Sequence, residues 1–386
     1  MKRIIGTVFF LLFTHVIFAQ TQTFSNIKRV YANNLDAIIE NKQVVGYYVF
    51  YFREKANRKE SVYSLTILDA NLSPTHEIEL TKPSNSYLLE GSFNGEAFCF
   101  AFLNMKQKTL EYQVIDKKAT IVGSYIVEDV SSYEMQSYAA LIQNPDEDTF
   151  SGGLMGIDGK GFVRYGIEKE GGYRYQIDMI DNNAKKVWSA NSGSTAKKSF
   201  ESAQSFYTDK NSIVTYVNIR EKGSSDVKYY LLFTNVSDGK DMFRFSTETD
   251  KAYLVPMGIN YDEEKKAYII YGEYYGKKGS KEQFDIENKL GFFMAVLDQN
   301  GQMIEEHYVD WKADITKLIP LNSKGRMEGN FSVFIHNLVK TADGKYFIIG
   351  EQYKKTASGL GIASNVGSAL LGGGSSTSAV KIIYKI

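Results

Sequence analysis

Gly344-Lys345-Tyr346-Phe347-Ile348-Ile349-Gly350-Glu351-Gln352-Tyr353 answers an earlier stretch, Lys265-Lys266-Ala267-Tyr268-Ile269-Ile270-Tyr271-Gly272-Glu273-Tyr274-Tyr275, and looser versions recur along the chain. Each enters from a turn and runs through aromatic and β-branched residues, the chemistry of a strand packed on a pleated surface. Units of several tens of residues that repeat in this way bury their faces only by packing on their neighbours.

Within each repeat the order is an apolar strand, a turn, a second apolar strand, an acidic or Asn turn, and a short outer strand. The clearest copy has Tyr268 to Tyr275, Leu290 to Leu297, the turn Asp298-Gln299-Asn300-Gly301, and Met303 to Tyr308. Asn-Gly supplies the positive φ that a tight hairpin needs. The same order begins at Val44, Ala97, Gly161 and Ser212, and a last copy has Tyr346 to Tyr353 followed by Val380 to Ile386, so six copies can be counted. Segments just upstream, such as Tyr87 to Phe93, Leu254 to Tyr261 and Phe331 to Thr341, supply an innermost strand. The expectation is an all-β fold, a six-bladed β-propeller of four-stranded blades. Tandem β-sandwiches are the alternative, because regular short strands suit them too. The last copy lacks an outer strand, and Ile27 to Tyr31 has the composition to supply it and hide the exposed edge.

The chain as a whole resembles secreted six-bladed β-propeller-type proteins of unknown function. Asp181-Asn182-Asn183-Ala184-Lys185-Lys186-Val187-Trp188 is similar to the outer-strand motif of quinoprotein-type propeller blades, with Ala184 in place of the motif's usual Gly. The resemblance implies the fold alone, and no cofactor is expected from it.

Lys2 and Arg3 precede an apolar run from Ile4 through Phe18, and Ala19-Gln20 offers a small residue for cleavage. This is the pattern of a secretory signal peptide over 1–19, leaving 20–386 as one propeller domain that is periplasmic, cell-surface or extracellular. The run falls short of the ~20 apolar residues of a spanning helix. Cleavage leaves 43 Lys and Arg against 45 Asp and Glu, a net charge of about −2. A chain without a basic surplus is poorly suited to nucleic acid, whose phosphates must be neutralised. Cys99, the single cysteine, lies in the run Ala97-Phe98-Cys99-Phe100-Ala101-Phe102 and reads as a buried core thiol.

Chemistry-bearing patterns are sparse. His76, His307 and His336 are far apart, with no HExxH, CxxC or paired-His spacing, so no metal site is expected. His336 and Asn337 lie in an expected innermost strand and are the channel-facing ligand candidates. Asp and Asn at the hairpin turns read as turn formers rather than calcium ligands, and Asn144-Pro145-Asp146-Glu147-Asp148 lacks the spacing of a calcium loop. Glu273 and Glu351 follow equivalent glycines, which points to a structural role at a strand bend. No catalytic residue is assigned.

Thr356 to Val380 carries no charge and is rich in Gly, Ser and Ala. Ile362, Val366 and Leu370 are spaced to share one face of a short helix, with Leu360, Ala363 and Leu371 nearby. The segment reads either as a linker or as a surface for a membrane or partner. The functional expectation is an exported, non-catalytic β-propeller that acts as a protein- or ligand-binding or scaffolding module at the cell envelope or outside the cell, with a protein or glycan partner. The alternative is a carbohydrate-active enzyme with carboxylates in the central channel.

Overall fold

The computed structural model describes residues 23–24 and 35–385, apart from 41–42, 144–152, 170–172, 193–198, 222, 224–226, 278–288, 318–325, 328–330, 342 and 358–379. The expected signal peptide, the segment 27–31, the acidic cluster 144–148 and most of the uncharged insertion lie outside the described residues.

Among the described residues the chain is all-β apart from one α-helix and a short 3-10 turn at Ile315–Lys317. Antiparallel meanders follow one another along it. The first is β1 (Leu35–Glu40), β2 (Gln43–Lys55), β3 (Glu60–Asp69) and β4 (Pro74–Pro83). The second is β5 (Ser86–Phe93), β6 (Ala97–Asn104), β7 (Thr109–Asp116) and β8 (Ile121–Val127). Helix α1 (Ser132–Gln143) comes next, then β9 (Leu154–Ile157), β10 (Gly161–Lys169), β11 (Tyr173–Asp181) and β12 (Lys186–Asn191). These join β13 (Ser199–Thr208), β14 (Ser212–Glu221), β15 (Val227–Asn235) and β16 (Asp241–Ser246) in one eight-stranded sheet. A single parallel pair, Tyr173 with Phe200, makes that join. Two four-stranded sheets complete the described chain. One is β17 (Ala252–Asp262), β18 (Ala267–Gly276), β19 (Lys289–Leu297) and β20 (Met303–Asp310); the other is β21 (Arg326–Met327), β22 (Phe331–Lys340), β23 (Tyr346–Ala357) and β24 (Val380–Lys385).

The expected innermost strands at 87–93 and 254–261 hold their places as β5 and β17. The one expected at 331–341 is β22, and it stands second in its sheet because the short β21 pairs along its edge away from β23.

Strand β6 shows why successive sheets pack face to face. All eight of its residues are buried. Alternation sends Phe98, Phe100 and Phe102 into a cluster with Phe50, Tyr63 and Leu65 of the preceding sheet, while Cys99, Ala101 and Leu103 join Leu154 and Phe162 of the next. The pattern recurs in β14, where Val214 and Val217 enter opposite clusters, and in β18, where Ile270 and Ile269 do so. Each interior sheet is therefore covered on both faces. A sheet of a sandwich is covered on one and wet on the other, so the packing disfavours the tandem-sandwich alternative. At about 1.5–3 kcal/mol for each large apolar side chain removed from water, these two-sided strands supply much of the cohesion between sheets.

Four of the turns between third and fourth strands share one conformation. Asp69, Asp116, Asp181 and Asp298 each use Oδ1 to accept backbone N–H groups two and four residues on, at 2.8–2.9 Å. Each turn then places a residue at positive φ: Leu72, Ala119, Ala184 and Gly301, with Gly239 doing the same after Asn235. These aspartates satisfy the turn backbone, as expected from turn chemistry.

Candidate functional site

Antiparallel alternation divides the sheets into two unlike ends. From β1 to β20, the turns joining first to second and third to fourth strands of each four-strand unit are short and lie at one end; in the last sheet, offset by β21, the short turn at that end joins β22 to β23. The remaining connections start and finish at the other end, among them residues 128–153 with α1, 277–288, 311–325 and 358–379. Two open clefts are formed at this loop-bearing end.

The first, of about 290 Å³, is lined by Lys228, Tyr229 and Tyr230 of β15, Arg244 and Ser246 of β16, and the following link through Glu248 to Tyr253 of β17. That link is stapled: Thr247 Oγ1 donates to the Tyr229 carbonyl at 2.8 Å, and the Leu254 N–H donates to the Thr247 carbonyl at 2.7 Å. Tyr229 packs 5.8 Å from Tyr216, which lies 6.1 Å from Phe206, so an aromatic ladder runs inward from the cleft. The Arg244 guanidinium sits 5.1 Å from the Tyr230 ring centre, and Lys277 sits 5.9 Å from that of Tyr253. Glu248 pairs with Lys277 at 3.5 Å and Asp241 with Arg244 at 3.1 Å. Burial raises the Tyr229 and Tyr230 phenols above their ordinary range, which keeps both neutral hydrogen-bonding groups.

The second cleft, of about 330 Å³, is formed by Lys108, Asp129 to Tyr133 and Tyr173 at the start of α1. Ser131 and Glu134 make a reciprocal cap there: Ser131 Oγ donates to Glu134 Oε2 at 2.9 Å and accepts from the Glu134 N–H at 3.3 Å. Tyr133 lies 5.3 Å from Tyr173 and 5.1 Å from Phe200.

Beneath α1 is a buried polar cluster. Arg164 and Asp178 stand directly opposite one another on β10 and β11. The Arg164 Nε and Nη2 atoms both reach Asp178 Oδ2 at 2.6 Å, with the two side chains 3% and 0% exposed. Gln176 donates to the other carboxylate oxygen at 2.9 Å, and Ser189 also donates to it. Glu134 Oε1 accepts the Ile167 N–H at 3.0 Å, tying α1 to β10. Burial pushes the Glu90 carboxyl up to about 8, against the opposing effect of the Leu154 and Gly153 N–H groups, so it is mostly protonated at neutral pH. Burial, reinforced by Glu90, likewise raises the Cys99 thiol, which is the inert core group expected. These groups are directed at one another and brace the 128–153 connection.

The residues singled out from sequence lie elsewhere. His336 is the extra residue of a bulge in β22, between Ile335 and Asn337, and its side chain lies outside the description. Asn337 is exposed, its Oδ1 accepts the Leu338 N–H at 2.8 Å, and it lines neither cleft. Leu360, Ile362, Val366, Leu370 and Leu371 fall outside the described residues; the flanking pair, Ala357 with Val380, stands at the loop-bearing end. Glu273 ion-pairs with Lys289 and accepts from the Tyr275 hydroxyl at 2.8 Å, in a nearly closed site beside Phe292 and Trp311. Among the described residues no group of His, Cys, Asp and Glu is arranged to hold a metal. No described helix is long and apolar enough to cross a membrane.

Sequence reasoning missed α1, both clefts and the cluster. The Ser131-Ser132-Tyr133-Glu134 capping pattern was a readable signal for the helix. The clefts had none, because their tyrosines look like packing residues until the strands are placed.

No curated protein matches this chain. Solved structures with a similar shape include the β-propeller domain of the Trilobed protease from Pyrococcus furiosus, with 13% identity, 86% of this chain and 82% of that chain covered, and a TM-score of 0.42. Others are Porphyromonas gingivalis dipeptidyl peptidase 4, at 14% identity, 83% and 38% coverage and a TM-score of 0.38, and Kuenenia stuttgartiensis hydrazine synthase, at 12%, 82% and 78%, and 0.36. The family of unknown function DUF6770 matches over residues 1–385, and the chain belongs to that family.

Proposed function

We propose that this chain is an exported six-bladed β-propeller that binds a protein or glycan ligand at the cell envelope or outside the cell, through its loop-bearing end. The observation that carries the reading is the asymmetry of the sheets: one end carries short Asx turns, while the other carries the long connections and, among the described residues, two open clefts. Binding sites concentrate on connections held by a rigid scaffold. In this reading residues 27–31 complete the last sheet beside β24. The insertion 356–380 adds to the same end as a membrane or partner contact.

A binding role fits the carboxylates better than catalysis does. The buried ones of the cluster are engaged with one another and with backbone, and each cleft is lined by a single one, Glu248 in the first and Asp129 in the second. Glycoside hydrolysis uses a facing pair about 5 to 10 Å apart.

Export is tested by intact mass of the secreted product, which should begin near Gln20; a retained Met1 overturns it. Binding is tested by presenting the mature chain to defined glycan and peptide arrays, with Tyr253→Ala and Tyr133→Ala altering the loop-bearing end and Lys185→Ala the turn end. Loss of bound ligand with either tyrosine variant, and not with Lys185→Ala, is the expected result. Turnover of an arrayed glycan, or binding indifferent to both tyrosine variants, would overturn the reading.

A further inference from the structure

We infer that the tyrosine-lined cleft between β15, β16 and β17 is a subsite for one acidic sugar residue, a uronic acid held by its carboxylate and its ring face. This inference rests on the binding function proposed above. Its volume, about 290 Å³, is at the small end for a ligand site and suits a sugar unit better than a folded peptide element. Tyr229, Tyr230 and Tyr253 line the cleft, and a tyrosine joins an apolar ring to a polar hydroxyl edge, a combination that matches a pyranose whose C–H faces are apolar and whose rim is hydroxylated. Stapling of the 247–254 link holds this surface before any ligand arrives, so little ordering entropy is lost on binding.

Charge selects among sugars. Lys228 is exposed on the rim, and Arg244 is held over Tyr230 at 5.1 Å. Arg244 pairs with Asp241, but both side chains are about half exposed, at 52% and 48%, so that pair is weak and can yield donors to a ligand carboxylate. Across the cleft, Glu248 is engaged by Lys277 and offers acceptor capacity to sugar hydroxyls. A nucleotide phosphate, with its higher charge density, would meet Glu248 as a repelling neighbour, whereas a uronic acid places one carboxylate at the cations and hydroxyls at the acid.

The test is isothermal titration of the full mature chain with digalacturonic acid, its dimethyl ester and the neutral digalactose. The acid should bind more tightly than either neutral probe, and added salt should weaken only the acid. Lys228→Gln and Arg244→Gln should each lower affinity for the acid about tenfold, the loss of one charge-assisted contact, and leave the neutral probes unchanged. Tyr253→Ala should weaken all probes. Lys228 and Arg244 are exposed, so their variants are expected to keep the wild-type melting temperature, which is checked alongside. Equal binding of ester and acid, indifference to both cation variants, or no acid binding at millimolar concentration would each overturn this subsite. If the acid fails while an arrayed peptide or neutral glycan still binds and depends on Tyr133 or Tyr253, the wider binding function stands and this inference alone falls.

Discussion

Replacing Arg164 by Met removes one half of an ion pair that has no access to water. Asp178, fully buried, would keep only Gln176 and Ser189 as side-chain donors and would lose two contacts of 2.6 Å. A buried carboxylate stripped of its cation costs about 3–5 kcal/mol. Equilibrium urea unfolding followed by tyrosine fluorescence should show a loss of that size, with a fall in melting temperature of about 5–10 °C. The double variant Arg164→Met/Asp178→Leu separates pairing from burial. With neither charge left to desolvate, it should recover much of the loss, and the cycle should report a coupling of at least about 2 kcal/mol. A loss below about 1 kcal/mol for the single variant, or additive effects in the double, would refute the placement of this pair in a closed interior.

Glu90, held near 8, carries a proton in the folded chain across a range in which the unfolded chain has released it. Its contribution is therefore complete at pH below the unfolded carboxylate range and is lost as pH rises through about 8, with a slope of at most about 1.4 kcal/mol per unit. Glu90→Gln should flatten the melting profile over that window, and an unchanged profile counts against it. Asp262 has the opposite sign: despite burial, donors from Tyr346 and Lys340 hold it at about 2, so the stability it gives is present above the unfolded carboxylate range and lost as pH falls toward 2, a limb that Asp262→Asn should remove in acid titration. Lys266 is exposed at φ +50°, where an L side chain is strained. Lys266→Gly should raise stability by up to about 1 kcal/mol in urea titration, and any loss contradicts the backbone assignment. Replacing residues 357 to 378 by a short Gly/Ser turn should change stability by only about 1 kcal/mol, while abolishing membrane or partner association in vesicle flotation or pull-down; failure to fold would make the segment a core element, and a shortened chain that keeps every association would make it only a linker.

The meanders were legible because local chemistry dictates them. Alternation in Ala97 to Phe102 and its counterparts fixes strands buried on both faces, and Asp at the head of four outer turns fixes their geometry. What the sequence hid was pairwise placement. Arg164 and Asp178 become partners only once β10 and β11 are in register, since fourteen positions separate them in the chain. The shared left-handed turn residue was masked by Leu72, Ala119 and Ala184 standing where Gly239 and Gly301 stand in later copies. Tyr229, Tyr230 and Tyr253 come from two strands and read as interior packing, whereas the ends of those strands leave them at a cleft. His336 was singled out by its place in an expected innermost strand, whereas a bulge falls at that very residue.

The most direct test is an experimental structure of the chain beginning at Gln20, determined by crystallography or electron cryo-microscopy in the presence of digalacturonic acid. The account predicts six four-stranded blades closed around one axis, residues 27–31 paired beside β24, and ligand density between Tyr229, Tyr253 and Arg244. An open row of sheets, a pair of separate sandwiches, or ligand bound at the short-turn end would contradict it.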